Sequence, residues 1–244
     1  MKLHNSELAA PPEKPKAMSV KVKICGLKTA RALDVALEAG TDYFGLVFYE
    51  PSPRNVGHET AAMLADRGRG QAQSVALLVN PDSAALQRVL DQVTPDLIQL
   101  HGDEPPERVR EIRAIANRPV IKAVKVETSS DVETARAYEE CADLILYDSK
   151  APDGKVDALP GGNGMPFDWQ ALMSVKRSNS FMLSGGLNPD NVAAAIAETN
   201  APIVDVSSGV ESAPGVKDDA LIRRFIEIAK SASHPETSHE PENA

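Results

Sequence analysis

The sequence predicts a single (β/α)8 barrel, an α/β fold in which eight parallel strands are joined by helical crossovers. Three observations carry that prediction. Short β-branched or apolar runs alternate with amphipathic stretches eight times between about residue 19 and about residue 230. Alternation of this kind marks a parallel sheet with helices packed on its faces. Eight units in roughly 210 residues suit a closed barrel, which needs about 200–250. An open doubly wound sheet is the structural runner-up, but eight even units leave no insertion or edge strand to support it.

The expected strands are Val20–Leu27, Tyr43–Tyr49, Ser74–Asn80, Leu97–Gly102, Val120–Val126, Asp143–Ser149, Phe181–Leu187 and Ile203–Val210. Between them lie helical patterns such as Ala30–Glu38 and Glu107–Ala116. The composition shifts outside this body. Residues 1–18, with Ala9-Ala10-Pro11-Pro12-Glu13-Lys14-Pro15, have no hydrophobic signal-peptide core and read as a disordered extension. Residues 231–244, rich in Ser, Pro, His and Glu, read as a disordered tail. The barrel domain is placed at 19–230.

Composition narrows the function. A formal net charge of -9 argues against generic attraction to nucleic acid or to an anionic membrane. No apolar run approaches the ~18–20 residues of a membrane span. The two cysteines, Cys25 and Cys141, form neither a disulfide framework nor a zinc pair, which suits a reducing, cytoplasmic setting. No metal and no cofactor is expected. His101 and Asp148 lack a ligand set of recognisable spacing, and His4, His58, His234 and His239 fall in the tails or at a helix start. The expected partner is a small phosphorylated molecule. A monomer is preferred to a homodimer, since no extra interface segment stands out.

A barrel places its active site at the carboxyl ends of its strands. Those ends are polar and glycine-rich here: Lys-Ile-Cys-Gly, Gln-Leu-His-Gly-Asp-Glu, Leu-Tyr-Asp-Ser, Leu-Ser-Gly-Gly-Leu and Asp-Val-Ser-Ser-Gly. Strand alternation pairs Lys23 with Cys25, Gln99 with His101, Leu146 with Asp148, and Asp205 with Ser207 on shared faces. Lys23 and Asp205 lie on strands that become neighbours when the barrel closes, so a buried ion pair is expected.

Two glycine loops form the phosphate signal: Ser184-Gly185-Gly186-Leu187, followed by the helix-start sequence Asn188-Pro189-Asp190, and Ser207-Ser208-Gly209. Loops after the seventh and eighth strands commonly bind phosphate, because glycine lets backbone N–H groups approach anionic oxygens and a helix N-terminus adds partial positive charge. The competing reading is tight turns alone. Gly161-Gly162-Asn163-Gly164 is a further contact loop, with Gly162 and Gly164 as candidates, or a plain connection.

A lone strand cysteine is usually a small buried hydrophobe, and Cys141 keeps that reading because it enters its strand at the amino end. Cys25 stands just before Gly26 at a carboxyl end, which favours chemistry. Asp148 ends the run Leu144-Ile145-Leu146-Tyr147 and is open to capping, acid or ligand roles. Arg54 follows Glu50-Pro51-Ser52-Pro53, whose prolines stiffen the loop and hold a guanidinium suited to a planar carboxylate.

Lys23-Ile24-Cys25-Gly26-Leu27, Phe48–Arg54 and Gln99–Glu104, then Asp148-Ser149, Gly161–Trp169, Ser184–Val192 and Asp205–Glu211 in the same order, resemble the signatures of the phosphoribosylanthranilate isomerases. The likeness covers essentially all of 20–228. It implies a cysteine base after the first strand, Cys25, and an aspartate acid after the sixth, Asp148. It also implies that Arg54 holds the anthranilate carboxylate. His101 matches its motif and is given only a substrate contact. One departure is Met165-Pro166 where the family often carries a basic residue.

The implied reaction is an Amadori rearrangement needing no metal or electron carrier. It demands a protonated Asp148 and an available Cys25 thiolate, so apolar surroundings or bound substrate should favour the acid and a nearby positive group the thiolate. Indole-glycerol-phosphate synthase, expected to use barrel lysines, ribulose-phosphate epimerase, expected to use a metal, and a non-enzymatic phosphate-binding barrel are the alternatives.

Overall fold

A computed structural model of the 244-residue chain describes residues 19–150, 168–174 and 181–232. The N-terminal extension, residues 233–244, and the Gly161–Gly164 loop with Gly162, Gly164 and Met165 lie outside the described residues.

Eight parallel strands close into one barrel: β1 (Lys21–Cys25), β2 (Tyr43–Phe48), β3 (Gln73–Leu78), β4 (Leu97–Leu100), β5 (Val120–Val126), β6 (Leu144–Ser149), β7 (Phe181–Leu183) and β8 (Ile203–Val206). Closure is set by pairing of β1 with β8, in which Lys23 stands opposite Asp205. Helices α1 (Ala30–Glu38), α2 (His58–Gly68), α3 (Ser83–Val93), α4 (Pro106–Ala116) and α5 (Ser129–Ala135) follow the first five strands. Helices α6 (Val192–Thr199) and α7 (Asp219–Ser231) follow β7 and β8.

The helices start where the local chemistry allows. Thr29 caps α1, its side chain accepting from the Ala32 N–H, and Asp82 caps α3 by accepting from Ala85 N–H. Pro106 opens α4 at a position whose N–H would have had no helical partner. Asn117 and Asn200 stop α4 and α6 in the left-handed conformation, which asparagine tolerates.

Period-two alternation divides the core. One face of each strand packs outward under the helices, with Ile24, Phe44, Ile98, Leu100 and Val204 all buried. The other face fills the barrel, where Tyr43, Val75, Leu97, Ile121, Leu146 and Met182 form an apolar plug at the amino-terminal end. Above that plug the interior turns polar, with Lys23, Gln99 and Asp205 buried. Above these, Cys25, His101 and Asp148 open to the mouth.

β1 to β4 each end one or two residues earlier than the sequence expectation, and larger departures fall later in the chain. β7 ends at Leu183 because Gly185 and Gly186 adopt φ of 86° and 64°, outside any strand. β8 ends at Val206, and Ser208–Val210 forms a 3-10 turn. Crowding explains this bend: a Cβ on Gly209 would lie 1.9 Å from the Leu187 carbonyl oxygen, so the two glycine loops touch backbone to backbone.

α6 begins at Val192 rather than at Asn188-Pro189-Asp190. Those residues form a turn in which the Asp190 N–H donates to Asn188 Oδ1 and the Asn188 N–H to Asn191 Oδ1. In the connection after β6 the described residues carry a 3-10 segment, Trp169–Ser174, where an α-helix was expected.

An unanticipated hairpin follows: β9 (Glu211–Ala213) pairs antiparallel with β10 (Val216–Lys217) across a turn in which Gly215 has φ 76°. It folds back over the mouth, where a Cβ on Gly215 would stand 2.4 Å from the Pro53 carbonyl oxygen.

Candidate active site

The strand ends converge on one pocket, lined by Cys25, Arg54, His101, Asp148, Gly185 and Ser207 among others. Cys25 is the last residue of β1 and Asp148 stands one residue before the end of β6, so both side chains point inward at the carboxyl rim. Both are nearly inaccessible outside the pocket itself, at 4% and 3% exposure. Val47, Leu77 and the partly buried Tyr49 and Val79 form an apolar wall beside the sulfur.

Cys25 sits over buried charge. Lys23 Nζ bonds Asp205 Oδ1 at 2.8 Å, so the expected pair exists, and Ser184 Oγ donates to Asp205 Oδ2 at 3.1 Å. Burial pushes the Cys25 thiol above its ordinary value; Asp205 reinforces this, while Lys23 and Lys217 pull it down without prevailing. For Lys23, burial acts downward, but Asp205 and Cys25 outweigh it and the net shift is upward. Of the two cations that act on the thiol, Lys23 pulls more strongly than Lys217.

Asp148 is held on both oxygens. Oδ1 accepts from the Ser149 N–H at 3.0 Å, and Oδ2 meets His101 Nε2 at 3.1 Å. His101 Nδ1 in turn meets Gln99 Nε2 at 2.9 Å. His101 and Asp148 are thus brought together, with Gln99 two residues down the same strand face.

Arg54 reaches the pocket from a loop shaped by more than its prolines. The Ser52 N–H donates to the Tyr49 carbonyl, and the Arg54 N–H to Ser52 Oγ. Gly26, with φ 79°, leaves room for the Arg54 stem; a Cβ there would lie 2.9 Å from its Cδ. The guanidinium pairs through Nε and Nη2 with both oxygens of Glu211, at 2.8 and 2.9 Å. Glu211 Oε1 also accepts from Lys217 Nζ at 2.8 Å, and Lys217 donates to the Ser207 carbonyl at 2.8 Å.

Burial would raise the Glu211 carboxyl, but Arg54 and Lys217 overcome it and hold it below the usual range. Burial drives Lys217 below its usual value, only partly offset by Glu211. Sequence reasoning assigned no role to Glu211 or Lys217. The signal for them was a pair of charged residues flanking Gly215 just beyond the eighth strand.

Gly185, Gly186, Ser207 and Ser208 line the pocket from the loops after β7 and β8, and Gly209 is where those two loops touch. Gly185 abuts β6: a Cβ there would fall 2.6 Å from the Ser149 N. Asp205 also borders the pocket, with its oxygens engaged by Lys23 and Ser184. Cys141 is buried at the amino end of its strand, with its Sγ 3.5 Å from the Tyr138 carbonyl. Among the described residues no group of three or more His, Cys, Asp and Glu side chains could hold a metal ion.

The sequence from residue 22 to residue 228 matches the family model described as N-(5'phosphoribosyl)anthranilate (PRA) isomerase. A relative named N-(5'-phosphoribosyl)anthranilate isomerase from Rhodospirillum centenum is 51% identical over 212 residues, spanning 87% of this chain and 99% of the relative. One of the same name from Rhizobium rhizogenes is 47% identical over 219 residues, 90% of this chain and 98% of the relative. The crystal structure of phosphoribosyl anthranilate isomerase from Thermotoga maritima superposes with a TM-score of 0.78 at 37% identity, covering 86% of this chain and 98% of that one. With the barrel, the ordered motifs and near-complete coverage in agreement, the chain belongs to the N-(5'-phosphoribosyl)anthranilate isomerase family.

Proposed function

We propose that Cys25 and Asp148 perform the family's aldose-to-ketose isomerisation as general base and general acid. The reaction is the Amadori rearrangement of N-(5-phosphoribosyl)anthranilate to 1-(2-carboxyphenylamino)-1-deoxyribulose 5-phosphate, a step of tryptophan biosynthesis. One observation carries the assignment of roles: the sulfur and the carboxyl enter the same pocket from β1 and β6.

Asp148 gives a proton to the furanose ring oxygen, the ring C–O bond breaks, and the anthranilate nitrogen becomes a Schiff base. Cys25 then removes the proton from ribose C2. The electron pair moves into the imine to give an enolamine, which tautomerises to the ketone. The imine is the electron sink, so acid–base work by two side chains accounts for the chemistry.

Arg54 takes the anthranilate carboxylate and the apolar wall of Val47 and Leu77 takes its ring, while the loops carrying Gly185, Gly186, Ser207, Ser208 and Gly209 take the phosphate. Support comes from their separate places around one pocket, from the two left-handed glycines, and from a solved relative in complex with reduced 1-(o-carboxyphenylamino)-1-deoxyribulose 5-phosphate at 36% identity and a TM-score of 0.75. His101 and Asp205 act beside substrate, the first through Asp148 and the second through Lys23.

We assign the enzyme to the cytoplasm, since its two cysteines are both free and buried, which suits a reducing compartment. We also infer a monomer. The exposed large apolar side chains among the described residues, Met63, Ile115 and Val216, lie on α2, α4 and β10 rather than in one patch. Sedimentation at micromolar concentration reads this directly, a dimer refuting it. The catalytic assignment is tested by the decay of substrate fluorescence with purified wild-type protein and with Cys25→Ala and Asp148→Ala. Undiminished decay in either variant removes that residue from its role.

A further inference from the structure

The acid is the end of a buried chain that begins at Gln99. Gln99 is fully buried on β4, His101 is 7% exposed and Asp148 3%. Gln99 Nε2 stands 2.9 Å from His101 Nδ1, and His101 Nε2 stands 3.1 Å from Asp148 Oδ2. With its nitrogen turned to Nδ1 the Gln99 amide donates there, and a neutral imidazole that accepts on Nδ1 carries its proton on Nε2. Gln99 Oε1 meanwhile is buried without a hydrogen-bond partner among the described residues. A buried orphan acceptor costs free energy, and among the described residues the bond to His101 is the side-chain contact that offsets it.

We infer that Gln99 is a positioning residue for the isomerisation: it holds His101 as the neutral Nε2–H tautomer, which donates to Asp148 as that acid gives up its proton. The inference rests on the reading of Asp148 as the acid. A hydrogen bond from Nε2–H to Oδ2 strengthens as charge develops on the carboxyl, because charge-assisted bonds are roughly twice as strong as neutral ones. Its gain is therefore larger in the ring-opening transition state than in the ground state, which raises kcat rather than lowering KM. The Ser149 N–H on Oδ1 works in the same sense. An imidazole with a proton on Nδ1 would present a lone pair to Asp148 and oppose the transfer. Gln99 prevents that tautomer from inside the barrel, out of contact with substrate.

The test uses the full chain and Gln99→Met, which keeps the length of the side chain and removes its hydrogen bond. 15N spectra of histidine-labelled protein, with the His101 signals identified by their loss in His101→Asn, should show the Nε2–H tautomer in the wild type and a mixture in Gln99→Met. The kcat of Gln99→Met should fall about tenfold, the scale of one lost hydrogen bond, with KM within about twofold. The double variant Gln99→Met/His101→Asn should be no slower than His101→Asn alone, because the two residues act in series. Wild-type His101 protonated on Nδ1, an unchanged tautomer or kcat in Gln99→Met, or additive losses in the double variant would each overturn the inference.

If Gln99→Met does not fold, Gln99→Glu replaces the donor by an acceptor and must draw a proton to Nδ1; a spectrum still showing Nε2–H alone overturns the inference. An inactive Asp148→Asn beside an unchanged tautomer in Gln99→Met removes Gln99 and leaves the acid assignment standing. An active Asp148→Asn removes both.

Discussion

Cys25 and Gly45 face each other across the β1–β2 ladder, and a Cβ on Gly45 would stand 2.7 Å from the Cys25 Sγ and 3.1 Å from its Cα. The sulfur occupies space that any other residue on β2 would claim. Glycine is needed here for the room it leaves, since its φ is not in the left-handed region. Gly45→Ala should therefore displace the thiol. We expect turnover to fall by about tenfold or more, the loss that misplacing a reacting group produces, with little change in KM. Steady-state kinetics beside a melting curve checks this, and unchanged kcat in a folded Gly45→Ala refutes it.

Cys25→Ser and Asp148→Asn preserve size and remove basicity and acidity in turn. Each should lower kcat about 10²-fold or more, the usual contribution of a positioned acid or base. Melting temperatures should stay near the wild type. A variant with near-normal turnover would exclude its residue from proton transfer.

The Cys25 thiol titrates above its ordinary value because burial disfavours the thiolate. The sign follows from linkage. A group raised on folding adds stability that is fully present below its unfolded pKa, about 8.5 for cysteine, and lost as pH rises through the folded value. Wild-type protein should thus lose melting temperature faster than Cys25→Ser above that range. Its kcat/KM in free enzyme should still be rising beyond the ordinary thiol range. A profile that levels off at or below neutral pH contradicts this.

Glu211 clamps Arg54 and neutralises Lys217, all three side chains being at most 8% exposed. Glu211→Gln leaves two cations facing one another without a carboxylate. Removing one partner of a buried pair costs about 3–5 kcal/mol, so chemical denaturation should register a loss of that order. KM should rise because the arginine loses its orientation. Stability and KM both at wild-type levels would show that the clamp is dispensable.

Lys122 and Glu104 make a further buried pair, at 2.8 Å, on the outward face of β5. Glu104 also accepts from the Asn80 and Gly102 N–H groups, and Lys122 donates to the Gly102 carbonyl at 2.6 Å. The pair thereby holds the loop just after His101. Lys122→Met should destabilise by about 3–5 kcal/mol and Lys122→Met/Glu104→Gln by less, since the second change removes the stranded charge. If urea titration finds the double variant less stable than the single, the buried charge is not the cause.

Much of this was legible in the chain. Alternation of β-branched runs with amphipathic helices is a local pattern, and it located all eight strands, six of them overlong at the carboxyl end. Strand alternation grouped Lys23 with Cys25 and Gln99 with His101, because a period of two needs no tertiary information, and the expected closure of the barrel set Lys23 beside Asp205. The polar strand ends and their order supplied Cys25, Asp148 and Arg54 as candidates.

Only the tertiary structure decided what those groups meet. The contact between Arg54 and Glu211 spans 157 positions in sequence, and Lys217 joins them through a hairpin that no strand pattern announced. The end of β8 was set by Gly209 meeting the Leu187 carbonyl, a steric fact belonging to two loops at once. The hydrogen-bonded chain from Gln99 through His101 to Asp148 likewise depends on β4 and β6 leaning on one interior. Sequence determines which faces are apolar and where polar groups cluster, because both are properties of neighbouring residues. Hydrogen bonds and charge pairs depend on separations of a few ångströms between distant positions, and those exist only once the barrel has closed.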